Sequence, residues 1–268
     1  MSEMKVETAL RLKSVALPAE HGGWAFLYEP ILAGLLLAPS AAGFLLSLSA
    51  LGVFLIHQPL KIAVKDRLKG KRYLRTQWAE RFAALYVLLA LAGCLLAYLS
   101  VGTVFLPPIL LAVPFAAVQL YYDASNRGRE GVAEICGAVA LSALAPALTL
   151  IAGWTLAEAL GLWLILAARA VTSILYVRVR LRLEKGKPVD TRVAVGSHVA
   201  AALLFAVLAT LAFTPKLAVV AFVVLLARAA HGLSRYRRPT PAKHIGFQEV
   251  GFGLLTVLLT VAGYKLPF

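Results

Sequence analysis

Apolar residues run along this chain in long stretches that are separated by short polar segments. Each stretch has about the 20 residues that an α-helix needs to cross the hydrocarbon core of a bilayer. The pattern predicts an all-α, polytopic membrane protein with nine transmembrane helices. The predicted spans are 23–39, 42–62, 82–100, 104–122, 132–152, 157–177, 194–214, 217–233 and 246–264.

The composition indicates the same class of protein. Hydrophobic residues make up 60% of the 268 and charged residues only 15%, whereas a soluble domain carries about a quarter charged residues. Residues 1–17 mix charged and apolar positions and lack the apolar core of a cleavable signal peptide. We therefore predict a cytoplasmic N-terminal tail over 1–17 and a single transmembrane helical domain over 18–268.

The basic residues are distributed unevenly between the two ends of the predicted spans. Of the 27 Lys and Arg residues, 25 fall on one side of the nine-helix arrangement, and only Lys216 and Lys265 fall on the other. The positive-inside rule places the basic side in the cytoplasm, with the N-terminus inside and the C-terminus outside. Topology therefore accounts for the net charge of +14, and nucleic-acid binding is not expected.

A first polar cluster lies at the end of the second span. His57, Lys61 and Lys65 are spaced by four residues and share one face of a helix, with Gln58 beside them. One interpretation is that the long lysine side chains anchor the helix at the membrane interface. The other is that His57 and Lys61 line a polar cavity, because a basic stripe that faces lipid is costly.

A second cluster lies on the sixth span. Polar side chains recur there at helical spacing on one face, and two further arginines follow on a neighbouring face. These residues are Arg169, Ser173, Tyr176 and Arg180, and then Arg178 and Arg182. Arg169 lies about 13 Å deeper than Arg178, so its guanidinium must be paired or hydrated. A structural ion pair and a cavity-lining role are both open.

Two carboxylates inside the predicted spans are candidate partners for these cations or candidate catalytic bases. They are Glu29 in the first span and Glu134 near the start of the fifth. We expect Glu29 to face the interior of the bundle and to pair with Lys61 or Arg169. In the purely structural interpretation, Glu29 and Glu134 neutralise Arg169, Lys61 or both.

Further polar residues lie at the junction of the last two spans. A basic stripe of Arg228, His231 and Arg235 closes the eighth span, and Glu249 lies near the start of the ninth. The five histidines are scattered, and the chain shows no spacing typical of a zinc site or a P-loop. We therefore expect no metal site and no other cofactor.

The run Pro-Ala-Glu-His-Gly-Gly-Trp-Ala-Phe over 18–26, together with His57-Gln58-Pro59, resembles the YwiC-like family of bacterial membrane proteins. This resemblance implies a multi-pass protein of a bacterial or archaeal cytoplasmic membrane. Within the run, His21 and Trp24 are either cavity-lining residues or an aromatic pair at the membrane interface.

More remotely, the chain resembles the UbiA superfamily of intramembrane prenyltransferases. That resemblance implies a helical bundle around a central cavity, with two Asp-rich motifs on the cytoplasmic side after helices 2 and 6. The motif positions correspond in this chain to His57, Gln58, Lys61 and Lys65, and to Arg178 and Arg182.

The change from acidic to basic or neutral residues at these positions removes the hard oxygen ligands that Mg²⁺ requires. Arg and Lys instead hold phosphate oxygens directly. We therefore expect a UbiA-like bundle with a metal-free, basic cavity on the cytoplasmic side, which binds an anionic, phosphate-bearing lipid or isoprenoid without catalysis. Lys61, Lys65, Arg178 and Arg182 are expected to converge at its mouth.

Two other functions stay open. The first is an active prenyltransferase in which Lys and Arg replace Mg²⁺ at a prenyl diphosphate, with Glu29, Glu134 and Glu249 as the available buried bases. The second is a small-anion transporter. The chain does not show the two matching half-chains with broken helices that are usual in transporters, so transport is the less favoured of the two.

Overall fold

The computed structural model describes residues 12–18 and 21–266 of the chain. These residues form α-helices joined by short loops, and no β-strand occurs in the described ranges. The helices are α1 His21–Leu37, α2 Ala41–Leu68, α3 Leu74–Val101, α4 Leu106–Ala124, α5 Gly131–Ser142, α6 Leu144–Ile151, α7 Leu156–Glu184, α8 Arg192–Thr210, α9 Lys216–Leu233 and α10 Ala242–Lys265.

The helices agree closely with the spans predicted from hydropathy. Among the described residues, eight helical segments are long and apolar enough to cross a membrane, judged by length and composition. The first predicted span corresponds to α1, which is apolar but only 17 residues long. The expectation of an all-α, multi-pass membrane protein is thus confirmed, and the count of nine spans is approximately right.

The fifth predicted span, 132–152, corresponds to the apolar segment Gly131–Ile151, which the structure divides into two helices. It breaks at Ala143 into α5 and α6. Pro146 explains the break, because a proline has no N–H to donate to the carbonyl four residues earlier. That carbonyl belongs to Ser142, the last residue of α5. Both pieces are strongly apolar, so hydropathy alone does not distinguish them.

One compact unit contains the described residues up to 24 together with 41–102. Its two long helices, α2 and α3, pack against each other along their length. Gly52 and Gly93 allow this close approach, because a Cβ on Gly93 would lie 2.6 Å from the carbonyl oxygen of Leu45. The hydroxyl of Ser49 donates across the same interface to the carbonyl of Ala90, at 2.8 Å. Small residues commonly bring membrane helices together in this way.

Part of the predicted N-terminal tail also packs in this unit. Val15 is buried and forms a small apolar cluster with Ala63 of α2 and Ala79 of α3. The hydroxyl of Tyr86 donates to the carbonyl of Ala16, at 3.2 Å. The described end of the segment 1–17 is therefore anchored by contacts.

The second compact unit contains residues 25–40 and 103–268. Its central helix is α7, which contacts α5, α6, α8, α9 and α10. Near the beginning of α7, Ile165 packs against Phe205 and Phe222, whose rings stack at 4.2 Å. Further along, the buried face of α7 becomes polar, beginning at Arg169.

Candidate functional site

Arg169 lies near the middle of α7 and is only 1% exposed. Its Nη2 lies 3.4 Å from the Oε1 of Glu29 on α1 and donates to the backbone carbonyl of Glu249 on α10, at 2.9 Å. Its Nη1 lies 3.6 Å from the Oε2 of Glu249. The prediction that Glu29 faces the interior and pairs with a basic residue is confirmed, and the partner is Arg169.

Glu249 is the second centre of this buried group. One carboxylate oxygen pairs with the guanidinium of Arg228 on α9, and the other accepts a hydrogen bond from the hydroxyl of Ser173 on α7. The predicted face that carries Arg169 and Ser173 is therefore directed inward. Its counter-charge comes from α10 as well as from α1.

The guanidinium of Arg228 is enclosed on several sides. It lies 3.9 Å from the ring centroid of Tyr176 and 5.3 Å from that of Phe252, which are cation–π distances. Its Nη2 lies 2.8 Å from the Nε2 of His198, which is fully buried. Because arginine only donates, Nε2 is the acceptor. The hydrogen of His198 is then on Nδ1, which lies 2.7 Å from the carbonyl oxygen of Ala194.

We call these residues the buried charge network. It comprises Glu29, Arg169, Ser173, Tyr176, His198, Arg228 and Glu249. Two guanidinium groups and two carboxylates balance each other formally, as charges inside a membrane bundle must. The network joins α1, α7, α8, α9 and α10 through polar contacts deep in the second unit.

Gly253 provides the space that the network needs on α10. A Cβ at this position would lie 1.9 Å from the Oε1 of Glu29 and 3.1 Å from the Nη2 of Arg169. No side chain larger than hydrogen fits there without moving the ion pair. The glycine therefore has a packing role rather than a turn role.

Arg180, one of the predicted cavity-lining residues, holds a loop. It is buried and donates to the backbone carbonyls of Gly232 and Arg238, and it pairs with Glu184 at 3.0 Å. Glu184 also accepts from the backbone N–H of Thr240, at 3.1 Å. These bonds fix the segment between α9 and α10 to the end of α7.

The partner of Glu134 differs from the prediction. Glu134 pairs with the Nη1 of Arg178, at 2.7 Å, and not with Arg169. The first turn of α5 meets the last turns of α7, and Arg169 lies about 13 Å deeper along that helix. Arg178 also donates to the carbonyl of Arg129, at 3.0 Å. Arg182 is exposed.

The candidate residues of the first unit lie on α2 and at the start of α1. His57 and Gln58 are half-buried, and Gln58 donates to the carbonyl of Ser14, at 3.3 Å. Lys61 and Lys65 are exposed and form no ion pair with any carboxylate of the described residues.

Trp24 packs edge-on against Phe54, with ring centroids 5.1 Å apart. The side chain of His21 lies outside the described residues.

The expected convergence of the α2 and α7 clusters at one cavity mouth concerns two separate units and stays a prediction. Within the part of the chain that the structure describes, no three His, Cys, Asp or Glu side chains gather as a metal site would require.

Sequence reasoning did not select His198, although it belongs to the buried charge network. The available signal was its position, since it is a single histidine inside an otherwise apolar span. Arg228 was noticed only as part of a basic stripe with His231 and Arg235, and both of these are exposed.

Comparison with known proteins gives one match. A family profile described as YwiC-like protein matches residues 17–149. A search of curated proteins and a search of solved structures each found no match. The profile covers Glu29, His57, Lys61 and Lys65 but ends before Arg169. Through residues 17–149, the chain belongs to the YwiC-like protein family.

Proposed function

We propose that this multi-pass YwiC-like protein binds an anionic, phosphate-bearing lipid or isoprenoid through basic residues on one side of the membrane, without a metal ion. The observation that supports the proposal most strongly is the exposure of Lys61 and Lys65 without a paired carboxylate. Both are exposed, lie one turn apart on α2 and have no carboxylate partner among the described residues. A phosphate is the anion that such point charges commonly hold.

The neighbouring arginines differ from Lys61 and Lys65, because they pair with carboxylates. Arg67 and Arg72 both pair with Glu80, and Arg75 pairs with the buried Asp66. These three arginines each pair with a carboxylate and stabilise the turn between α2 and α3. Lys61 and Lys65 are not used in this way, which leaves them available to an external anion.

The surface around the two lysines suits an amphipathic ligand. Leu60 and Val64, which flank them along α2, are each 47% exposed. An acyl or isoprenoid chain can cover these apolar side chains while its phosphate meets the ammonium groups. This combination favours a lipid over a small inorganic anion.

A second basic surface lies at the end of α7, and we propose that it contributes to phosphate binding through Arg182. Arg182 is exposed, whereas part of the hydrogen-bonding capacity of Arg178 is used by Glu134 and by the carbonyl of Arg129. Arg178 therefore supports the surface more than it contacts the ligand.

Binding without catalysis is favoured by the state of the candidate bases. Glu29 pairs with Arg169, Glu249 with Arg228, and Glu134 with Arg178. A carboxylate that is committed to a guanidinium is a poor general base. Prenyl transfer is the alternative, and it requires one of these pairs to open.

The proposal is tested by titrating the purified full-length chain, in neutral detergent, with farnesyl diphosphate. Lys61→Gln/Lys65→Gln is expected to weaken binding about 30-fold, because each lysine near an anionic surface contributes roughly 1 kcal/mol. The matched control is Lys69→Gln/Lys71→Gln, which removes the same charge from the turn after α2. Equal losses in the two variants would contradict a specific site on α2.

Chelation separates this proposal from a Mg²⁺-dependent prenyltransferase. The same titration in EDTA is expected to give an unchanged Kd, because lysine and arginine contact the phosphates directly. Loss of binding in EDTA would show that a metal ion bridges protein and diphosphate.

The orientation in the membrane is a second prediction. Single cysteines at Lys71 and Lys216, in a background without Cys94 and Cys136, are expected to be labelled by a membrane-impermeant thiol reagent from opposite sides. Lys71 should be protected in intact cells and Lys216 accessible. Labelling of both from one side would contradict the predicted topology.

A further inference from the structure

The buried charge network is divided unequally between its two carboxylates. Glu249 receives Arg228 and Ser173 on its two oxygens, and Arg169 lies 3.6 Å from it. Among the described residues, Glu29 makes a single ion pair, with Arg169, at 3.4 Å. Glu249 is therefore built into the network, whereas Glu29 is held by a single long ion pair.

The charges show what Glu29 contributes. Arg169 and Arg228 carry two positive charges around the one negative charge of Glu249. This core has a formal excess of one positive charge in a dry interior, where an unpaired ion is costly. Glu29 supplies the balancing negative charge, and another carboxylate at the same place would supply it with the same geometry.

The two guanidinium groups also have N–H donors that form no hydrogen bond in the part of the chain that the structure describes. The Nε and Nη1 of Arg169 and the Nε of Arg228 are buried and have no hydrogen-bond partner among the described residues. Buried donors normally find an acceptor. The surplus of N–H groups over acceptor oxygens indicates that the core is suited to accept further anionic oxygens.

The helix that carries Glu29 lacks a backbone hydrogen bond close to this residue. Pro30 follows directly and lies inside α1. It cannot donate to the carbonyl of Phe26, so the turn that holds Glu29 lacks one helical hydrogen bond. Such positions allow a helix to bend, and a bend here would change the distance between the carboxylate of Glu29 and Arg169.

We propose that Arg169 and Arg228, with Glu249 as their fixed counter-ion, form an anion site inside the second unit, and that Glu29 is its resident occupant. The external ligand is a monocarboxylate, because it reproduces both the charge and the geometry of the group that it displaces. This site is separate from the proposed phosphate-binding surfaces on α2 and at the end of α7. It shares no ligand-contacting residue with them.

The test is the thermal stability of the purified chain titrated with sodium acetate, with sodium chloride at equal ionic strength as reference. Glu29→Ala removes the carboxylate and leaves its place beside Arg169 empty. Its Tm is expected to rise with acetate and to saturate, by on the order of 5 °C. The wild-type Tm should not change over the same range, since Glu29 fills the site.

Two further variants locate the effect. Glu29→Ala/Arg169→Gln is expected to lose the acetate response, because the excess charge is gone. Glu134→Ala, which frees the partly exposed Arg178, is expected to show no saturable response. A folded Glu29→Ala protein without an acetate response would overturn the proposal, as would a response that survives in the double variant.

If Glu29→Ala is not recovered folded in chloride, its purification with and without acetate serves instead. Recovery only in acetate supports the site, and failure in both buffers overturns it. None of these measurements involves Lys61 or Lys65. Failure here therefore leaves the farnesyl diphosphate titration to decide the proposed function separately.

Discussion

Replacing Arg169 with glutamine is expected to destabilise the protein by about 3–5 kcal/mol, the usual effect of removing one partner from a buried ion pair. The guanidinium is 1% exposed and faces both Glu29 and Glu249. Without it, two carboxylates share an interior that retains only Arg228 as counter-charge. The backbone carbonyl of Glu249 loses a donor as well.

The measurement is unfolding of the purified protein in mixed detergent micelles. The matched control is Arg182→Gln, which removes the same charge from an exposed position of the same helix and is expected to change stability by no more than about 0.5 kcal/mol. If both variants were equally stable, the buried charge network would not contribute to the fold.

The second large effect is expected from adding a single methyl group to α10. Gly253→Ala would place a Cβ 1.9 Å from the Oε1 of Glu29, so the carboxylate must move away from Arg169. We expect a loss of about 3 kcal/mol, the upper end of the range for overpacking, because the displacement also opens an ion pair.

Gly251→Ala is the control for helix propensity. It lies on the same helix, and its added Cβ would meet no atom within 4 Å. Alanine is the better helix former by roughly 0.5–1 kcal/mol, so this variant should be slightly more stable than the wild type. A Gly253→Ala protein that gains stability like Gly251→Ala would refute the proposed packing.

The membrane helices could be predicted from sequence because length and hydropathy are local properties. The Glu29–Arg169 pair was also within reach, since a charge deep in an apolar span must find a partner and few carboxylates lie in the spans. The break of the fifth span at Ala143 could not be predicted from hydropathy. It follows from Pro146, which removes a helical hydrogen bond without interrupting the apolar pattern, so hydropathy does not show it.

The rest of the site depends on tertiary packing. Arg228, His198 and Glu249 lie on three helices, and helical spacing shows which residues share a face but not which face turns inward. In the stripe of Arg228, His231 and Arg235, for example, the structure buries the side chain of Arg228 and leaves the other two exposed. Glu134 pairs with Arg178 because the start of α5 meets α7 close to the end of α7.

Native mass spectrometry of the protein purified from its host membrane tests the central claim most directly. The account predicts that the wild-type chain retains an anionic, phosphate-bearing lipid or isoprenoid, and that Lys61→Gln/Lys65→Gln loses it while Lys69→Gln/Lys71→Gln does not. Adducts of neutral lipids only, or identical anionic adducts in all three proteins, would contradict a phosphate-binding site on α2.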